Sequence, residues 1–224
     1  MKKLNWIVFF VLIFFAHNAV AQQPFPYWKD VQKFKQQDSI AFPESNQILF
    51  IGSSSFTKWK DVNDYFPGYK ILNRAFGGSR LVDLIRYRYE VIYPYNPRQI
   101  VIYCGENDFA AKDNPSVDEA MERFNTLYKL IRSKYPTVPL AYVAMKPSPS
   151  REHLLPKFSE ANKRIKQLLA KDKNAAFIDV YPLMFNKDGS IMKDIFVEDN
   201  LHMNAKGYAI WQKAIKPYLK KPAR

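Results

Sequence analysis

Ser54, Asp199 and His202 are the residues whose types could supply a nucleophile, its base and the partner of that base. A serine hydroxyl attacks a carbonyl at neutral pH only when a general base takes its proton, and that base is usually histidine. Of the three histidines, His17 lies in an N-terminal leader and His153 follows Arg151-Glu152 at the start of a helix, which suits the surface. His202 remains, within Asp199-Asn200-Leu201-His202-Met203-Asn204. A carboxylate three residues before a histidine can reach the imidazole Nδ1. There it fixes the tautomer and stabilises the imidazolium that forms when the base is protonated.

The serine is presented by Gln47-Ile48-Leu49-Phe50-Ile51-Gly52-Ser53-Ser54-Ser55-Phe56-Thr57. Ile48 to Gly52 reads as a short buried strand, the small residues as a turn, and Phe56 onward as a helix. Such a strand–turn–helix places one side chain at the carboxyl edge of a sheet, beside the N–H groups of the incoming helix, where negative charge is stabilised. Ser54 is the candidate nucleophile and Ser55 the weaker alternative.

The elements that must position these groups follow a repeating order. A pattern of Trp28, Val31 and Phe34 predicts an amphipathic helix over about residues 26–41. After the strand at Ile48–Gly52 come predicted strands at Tyr69–Leu72, Gln99–Cys104, Leu140–Ala144 and Ala176–Val180, with helices between. The longer helices fall at Leu81–Arg88, Ser116–Tyr135, Leu154–Ala170 and from Asn204 to about Leu219. Alternating strands and helices imply a parallel five-stranded sheet covered on both faces, with right-handed crossovers. Ligands of such sheets sit outside the carboxyl ends of the strands. Arg74-Ala75-Phe76-Gly77-Gly78-Ser79-Arg80 and Gly105-Glu106-Asn107-Asp108 fall at that same edge as Ser54. Adjacent glycines there let a ligand approach the main chain closely.

Other chemistries fit less well. Two histidines and one cysteine beyond the leader leave no closed zinc set, and no loop has calcium-site spacing, which leaves only an oxygen-ligand pair such as Asp108 with Asp199. The Gly77-Gly78-Ser79 turn lacks the spacing and the Lys-Ser/Thr pair of a phosphate-binding P-loop. Cys104 is the single cysteine, so no intrachain disulfide forms, and its place at a strand end suits a small buried side chain.

Residues 1–21 read as a secretory signal peptide: Lys2 and Lys3, an apolar run from Leu4 to Phe15, and Ala19-Val20-Ala21 as a small-x-small cleavage site before Gln22. The run is too short for a bilayer-spanning anchor, so the expectation is an exported protein, periplasmic or secreted, with no stable membrane insertion of the mature chain. Cleavage leaves 203 residues, enough for one α/β domain over 22–224, and lowers the net charge of +13 by two, to +11. A basic surface favours anionic partners such as envelope glycans or headgroups. The Lys and Arg residues are scattered over predicted helix faces and no nucleic-acid module appears, so no nucleic-acid partner is expected.

Taken together, Gly52-Ser53-Ser54, Asn73-Arg74-Ala75-Phe76-Gly77-Gly78, Gly105-Glu106-Asn107-Asp108 and Asp199-Asn200-Leu201-His202 resemble, in order and spacing, the four motifs of the SGNH hydrolases, the GDSL esterase/lipase superfamily. The similarity runs from about Gln47 to Leu219. It implies a flavodoxin-like three-layer α/β/α fold and an ester hydrolase needing neither metal nor organic cofactor. By matching positions, Ser54 is the nucleophile, His202 the base and Asp199 its partner. Gly78 (or, one position away, Gly77) and the Asn107 amide join the Ser54 N–H as oxyanion donors. One position departs: the family's usual Gly-Asp-Ser reads Gly52-Ser53-Ser54. The α/β-hydrolase elbow, Gly-x-Ser-x-Gly, fits worse, because Phe56 stands where its second glycine belongs. The implied reaction is removal of a small acyl group, acetyl first, from a glycan or other small ester. Arg80, Lys146 and Arg151 are candidate cleft cations that would select anionic substrates. Acyl transfer to a sugar, a lysophospholipase or short-chain lipase activity, and a non-catalytic glycan-binding module are the alternatives.

Overall fold

The computed structural model describes residues 25–221; the leader assigned to residues 1–21 lies outside the described residues. The first strand, β1 (Ile48–Gly52), is five consecutive buried residues. The remaining strands are β2 (Ile71–Asn73), β3 (Gln99–Tyr103), β4 (Leu140–Val143) and β5 (Ala175–Ile178). They form one sheet of order β2-β1-β3-β4-β5, and every pairing is parallel. β1 and β3 align along their whole length, Ile48 opposite Gln99 through Gly52 opposite Tyr103. With side chains alternating every residue, this register sorts the apolar groups into two cores.

Leu49, Ile51, Ile100, Ile102, Leu140 and Tyr142 face one side. They pack against α1 (Trp28–Ile40), α4 (Leu81–Arg86), α5 (Arg88–Val91), α7 (Val117–Lys134) and α8 (Leu155–Leu169). Ile48, Phe50, Val101, Tyr103, Ala141 and Val143 face the other, under α2 (Ser54–Thr57), α3 (Val62–Tyr65) and α9 (Ala205–Ile215). A further four-residue helix, α6 (Glu106–Phe109), follows β3. The result is the flavodoxin-like three-layer α/β/α arrangement expected from the sequence. Its strand order reverses between β1 and β3, and at such a switch point the loops leaving the two strands part to opposite faces and open a crevice.

Local signals set several boundaries. Ser116 and Glu119 form a reciprocal cap that starts α7. The Asn204 side chain accepts the N–H groups of Lys206 and Gly207 at the start of α9. Elsewhere the structure differs from the sequence expectation. The helix expected over Leu81–Arg88 breaks at Tyr87, whose buried ring, oriented by its hydroxyl on the Pro26 carbonyl 2.7 Å away, separates α4 from α5. In α1, Val31 is buried but Trp28 is 39% exposed, so the apolar stripe is narrower than its spacing suggests. Among the described residues no helix is long and apolar enough to cross a membrane.

Candidate active site

The serine turn begins with a constraint on the strand before it. Gly52 has φ +134°, and a Cβ there would lie 1.9 Å from the Tyr103 carbonyl oxygen on β3. Only glycine fits that approach, and it lets β1 and β3 stay paired to the point where they part. Ser53 is extended; its N–H donates to the Tyr103 carbonyl at 2.9 Å, and its own carbonyl receives the first bonds of α2. Ser54 is therefore the first helical residue, half-buried at the sheet edge, whereas Ser55 is buried beneath it. Burial takes Ser55 out of reach of a substrate.

His202 arrives from the far end of the chain on a loop that is pinned to itself. The Val197 N–H donates to the His202 carbonyl at 2.9 Å, and the Asn204 N–H to the Ile195 carbonyl at 3.0 Å. Asp199 Oδ1 accepts the N–H groups of Leu201 (2.9 Å) and His202 (2.8 Å). That leaves Oδ2 aimed at the imidazole, 2.5 Å from His202 Nδ1. On the other side of the ring, Nε2 lies 2.9 Å from Ser54 Oγ. Partial burial alone would raise the Asp199 pKa. The hydrogen bond from the His202 ring and the two backbone N–H donors outweigh it and hold the carboxyl well below the usual carboxylate range. A carboxylate at Nδ1 places the ring proton there, so Nε2 is free to accept from the Ser54 hydroxyl.

The two glycine- and asparagine-bearing loops meet beside this chain. Ser79 Oγ donates to the Gly52 carbonyl at 2.9 Å, which ties the Gly77-Gly78 turn to the end of β1. A Cβ on Gly77 would lie 3.9 Å from the Ser54 Cβ, and the Gly78 carbonyl accepts from the Tyr27 hydroxyl at 2.8 Å. Asn107 Nδ2 donates to the Ser79 carbonyl at 3.0 Å and to Ser53 Oγ at 2.6 Å. Ser53, standing where the motif has aspartate, thus accepts from Asn107 with a neutral hydroxyl instead of a carboxylate. Gly78 and Asn107, with Tyr27, Arg80 and Arg151, line a cavity of about 340 Å³.

The three candidate cleft cations separate. Arg80 lines that cavity, but its Nη1 is 3.0 Å from Asp113. Arg151 also lines it, with Nη1 3.1 Å from Glu106 Oε2 and Nη2 2.7 Å from Asn107 Oδ1. Lys146 is placed differently from the expectation. Its side chain is 1% exposed, its Nζ lies 3.5 Å from Glu106 Oε2, and its ammonium faces the Phe196 ring. A charge enclosed in this way is not presented to a substrate.

Glu106 is the residue the sequence reading passed over. It is buried, accepts the Lys146 N–H at 3.1 Å and the Tyr103 hydroxyl, and faces the Lys146 and Arg151 cations. Burial pushes its pKa up, but the two cations and the two donors win and bring it below the ordinary value. Burial lowers the Lys146 pKa, helped by the neighbouring Arg151 cation and opposed by the Glu106 carboxylate. The available signal was a carboxylate directly before Asn107, with two basic residues at the same sheet edge after the next strand. For Tyr27, from the segment before α1, the sequence carried no signal at all. His153 is exposed, as expected. Asp108 is engaged by the Leu81 N–H at 2.9 Å and Arg123 at 3.0 Å, so it does not pair with Asp199 as a cation site.

This fold and edge, with a hydroxyl, an imidazole and a carboxylate in line, are those of a carboxylic ester hydrolase. The model of the GDSL-like lipase/acylhydrolase family matches residues 38–210, and the chain belongs to that family. Comparison with curated protein sequences gives no match. Among solved structures, a protein from Streptococcus pneumonia superposes with a TM-score of 0.74 at 24% identity, over 86% of this chain and 92% of that one. A GDSL-like lipase from Bacteroides thetaiotaomicron gives 0.69 at 21%, over 84% and 96%. An acetylxylan esterase from Geobacillus stearothermophilus gives 0.62 at 15%, over 79% and 95%. At these identities the likeness is one of fold.

Proposed function

We propose that the protein is an exported serine esterase that removes a small acyl group, acetyl first, from a glycan or another small ester through Ser54, His202 and Asp199. One observation carries this reading: Ser54 Oγ, the His202 ring and the Asp199 carboxylate form a continuous chain with separations of 2.9 and 2.5 Å. Ser54 Oγ attacks the ester carbonyl while His202 Nε2 takes its proton, and Asp199 stabilises the imidazolium. The oxyanion is met by the Ser54 and Gly78 N–H groups and by the Asn107 amide, one of whose two Nδ2 hydrogens passes from Ser53 Oγ to the stronger, charged acceptor. Each donor is worth roughly 3 kcal/mol of barrier. His202 then returns its proton to the leaving alcohol. Water, activated by the same ring, attacks the acyl-enzyme, releases the acid and restores Ser54.

A cavity of only about 340 Å³ beside Gly78 and Asn107 supports a short acyl group, and the likeness to an acetylxylan esterase supports a glycan acetyl ester. Export rests on the charged start, apolar run and cleavage site of residues 1–21. The test is acetate release from acetylated oligosaccharides against hydrolysis of longer-chain esters, with Ser54→Ala as the blank. Faster turnover of acetyl esters, abolished in Ser54→Ala, is the expected result. Activity surviving in Ser54→Ala overturns the nucleophile, and a preference for long chains overturns the substrate. N-terminal sequencing of the exported protein should begin at Gln22; an intact leader would overturn export by cleavage.

A further inference from the structure

We infer that Arg151 is a positioning residue of the oxyanion site: it fixes which way the Asn107 amide points and sharpens its N–H donors. The inference rests on the esterase reading above, in which Asn107 stabilises the oxyanion.

A side-chain amide is nearly symmetric in shape but not in charge. Rotated by half a turn, Asn107 would present a carbonyl oxygen to a developing oxyanion and repel it. Packing alone discriminates poorly between the two orientations, so hydrogen bonds must. Arg151 Nη2 lies 2.7 Å from Asn107 Oδ1, and a guanidinium can only donate. On the opposite side of the amide stand the Ser79 carbonyl, which can only accept, at 3.0 Å, and Ser53 Oγ at 2.6 Å. A pure donor on one side and a pure acceptor on the other leave one orientation, with Nδ2 toward the Ser53-Ser54 turn.

The guanidinium is itself held. Nη1 donates to Glu106 Oε2 at 3.1 Å, and the side chain is only 14% exposed. The Arg151 N–H donates to the Ser148 carbonyl at 3.0 Å, and the Ser150 N–H to the Asn200 carbonyl at 3.1 Å. The loop carrying Arg151 is thereby joined to the loop carrying Asp199 and His202. A cation on Oδ1 also draws charge through the amide and makes its N–H groups stronger donors. Lysine would not replace it, because a single ammonium cannot reach the Glu106 and Asn107 oxygens in the fixed fork of a guanidinium. Two of its nitrogens being already engaged, Arg151 is placed to serve Asn107 rather than to grip an anionic substrate.

A double-mutant cycle separates these roles. Arg151→Met and Asn107→Ala are assayed singly and together on nitrophenyl acetate, with thermal melting as the check on folding and Ser54→Ala as the blank. Arg151→Met should lower kcat by roughly ten- to a hundredfold and leave KM within about twofold. In the Asn107→Ala background the same substitution should cost no more than about a further twofold. Arg151→Lys, which keeps a cation beside Glu106, carries the same cycle if the methionine variant does not fold, and should show most of the kcat loss. Multiplicative losses in the double variant, or an effect confined to KM, would overturn the inference. With an inactive Ser54→Ala those results remove only the role of Arg151; an active Ser54→Ala removes the esterase reading beneath it.

Discussion

The Tyr208 hydroxyl donates to the main-chain carbonyl of Ser55 at 2.9 Å, across 153 residues of sequence. The same ring stacks on Trp59 with centroids 4.7 Å apart. The helix that follows His202 is therefore fastened directly to the turn that carries Ser54, and the hydroxyl and imidazole are located by a common anchor. Tyr208→Phe keeps the stack and leaves a buried carbonyl without its donor. It should cost about 1–3 kcal/mol in urea unfolding and lower kcat more than it raises KM. A variant with full stability would show that the carbonyl finds another donor.

Asp199→Asn replaces the acceptor at His202 Nδ1 with an amide that can donate there, which favours the wrong tautomer of the ring. The expected loss in kcat is roughly 10³–10⁴-fold with little change in KM. Because His202 and two N–H groups hold the wild-type carboxyl below the usual carboxylate range, Asp199 stays ionised through mild acid. The acid limb of the wild-type rate profile should not follow carboxylate titration. A rate that falls only below pH 4 would show the reverse.

Glu106→Gln removes the anion shared by Lys146 and Arg151 and should destabilise the fold by about 3 kcal/mol at pH 7. The sign with pH follows from the lowered Glu106 pKa. A carboxyl with a depressed folded value adds stability above its unfolded value of roughly 4.3 and loses it as the pH falls through the folded value. The gap between wild type and variant should therefore be largest near neutrality and narrow below about pH 4, in parallel denaturant titrations. A gap that widens in acid would mean that Glu106 is protonated in the native state.

Gly207→Ala would place a Cβ 2.6 Å from the Ile195 carbonyl oxygen and 2.8 Å from the Met203 Cβ. Neither can withdraw without moving the loop that carries His202. The expected outcome is a loss of about 1–3 kcal/mol and a fall in activity larger than that loss explains. An unchanged melting temperature would show that α9 can slide.

The sheet was legible because its strands are short, continuously apolar and punctuated by small residues, and a parallel sheet buried on both faces demands that pattern. Ser54, Asp199 and His202 were legible for a related reason: each lies in a short segment whose residue types have few other combined uses, and strand order brings the segments to one edge. What could not be read was direction. Lys146 and Arg151 follow the same strand and carry the same charge. One turns inward to Glu106 and the other bridges Glu106 to Asn107, because a carboxylate forty residues earlier is buried between them. No local pattern encodes that choice. Ser53 was visible only as a missing aspartate; its contact with Asn107 depends on how β1 and β3 part.

The Tyr27 hydroxyl on the Gly78 carbonyl fastens the start of the described chain to the glycine turn. Tyr87 seizes the preceding carbonyl of Pro26 at 2.7 Å, so the stretch before α1 is clasped at two successive residues. Wherever a protease trims this polypeptide, the survival of Pro26 and Tyr27 decides whether the glycine turn keeps its outer brace. A tag fused close to Pro26 would tug on that brace, and its removal would show up first as sloppier catalysis in a protein that still melts at the same temperature.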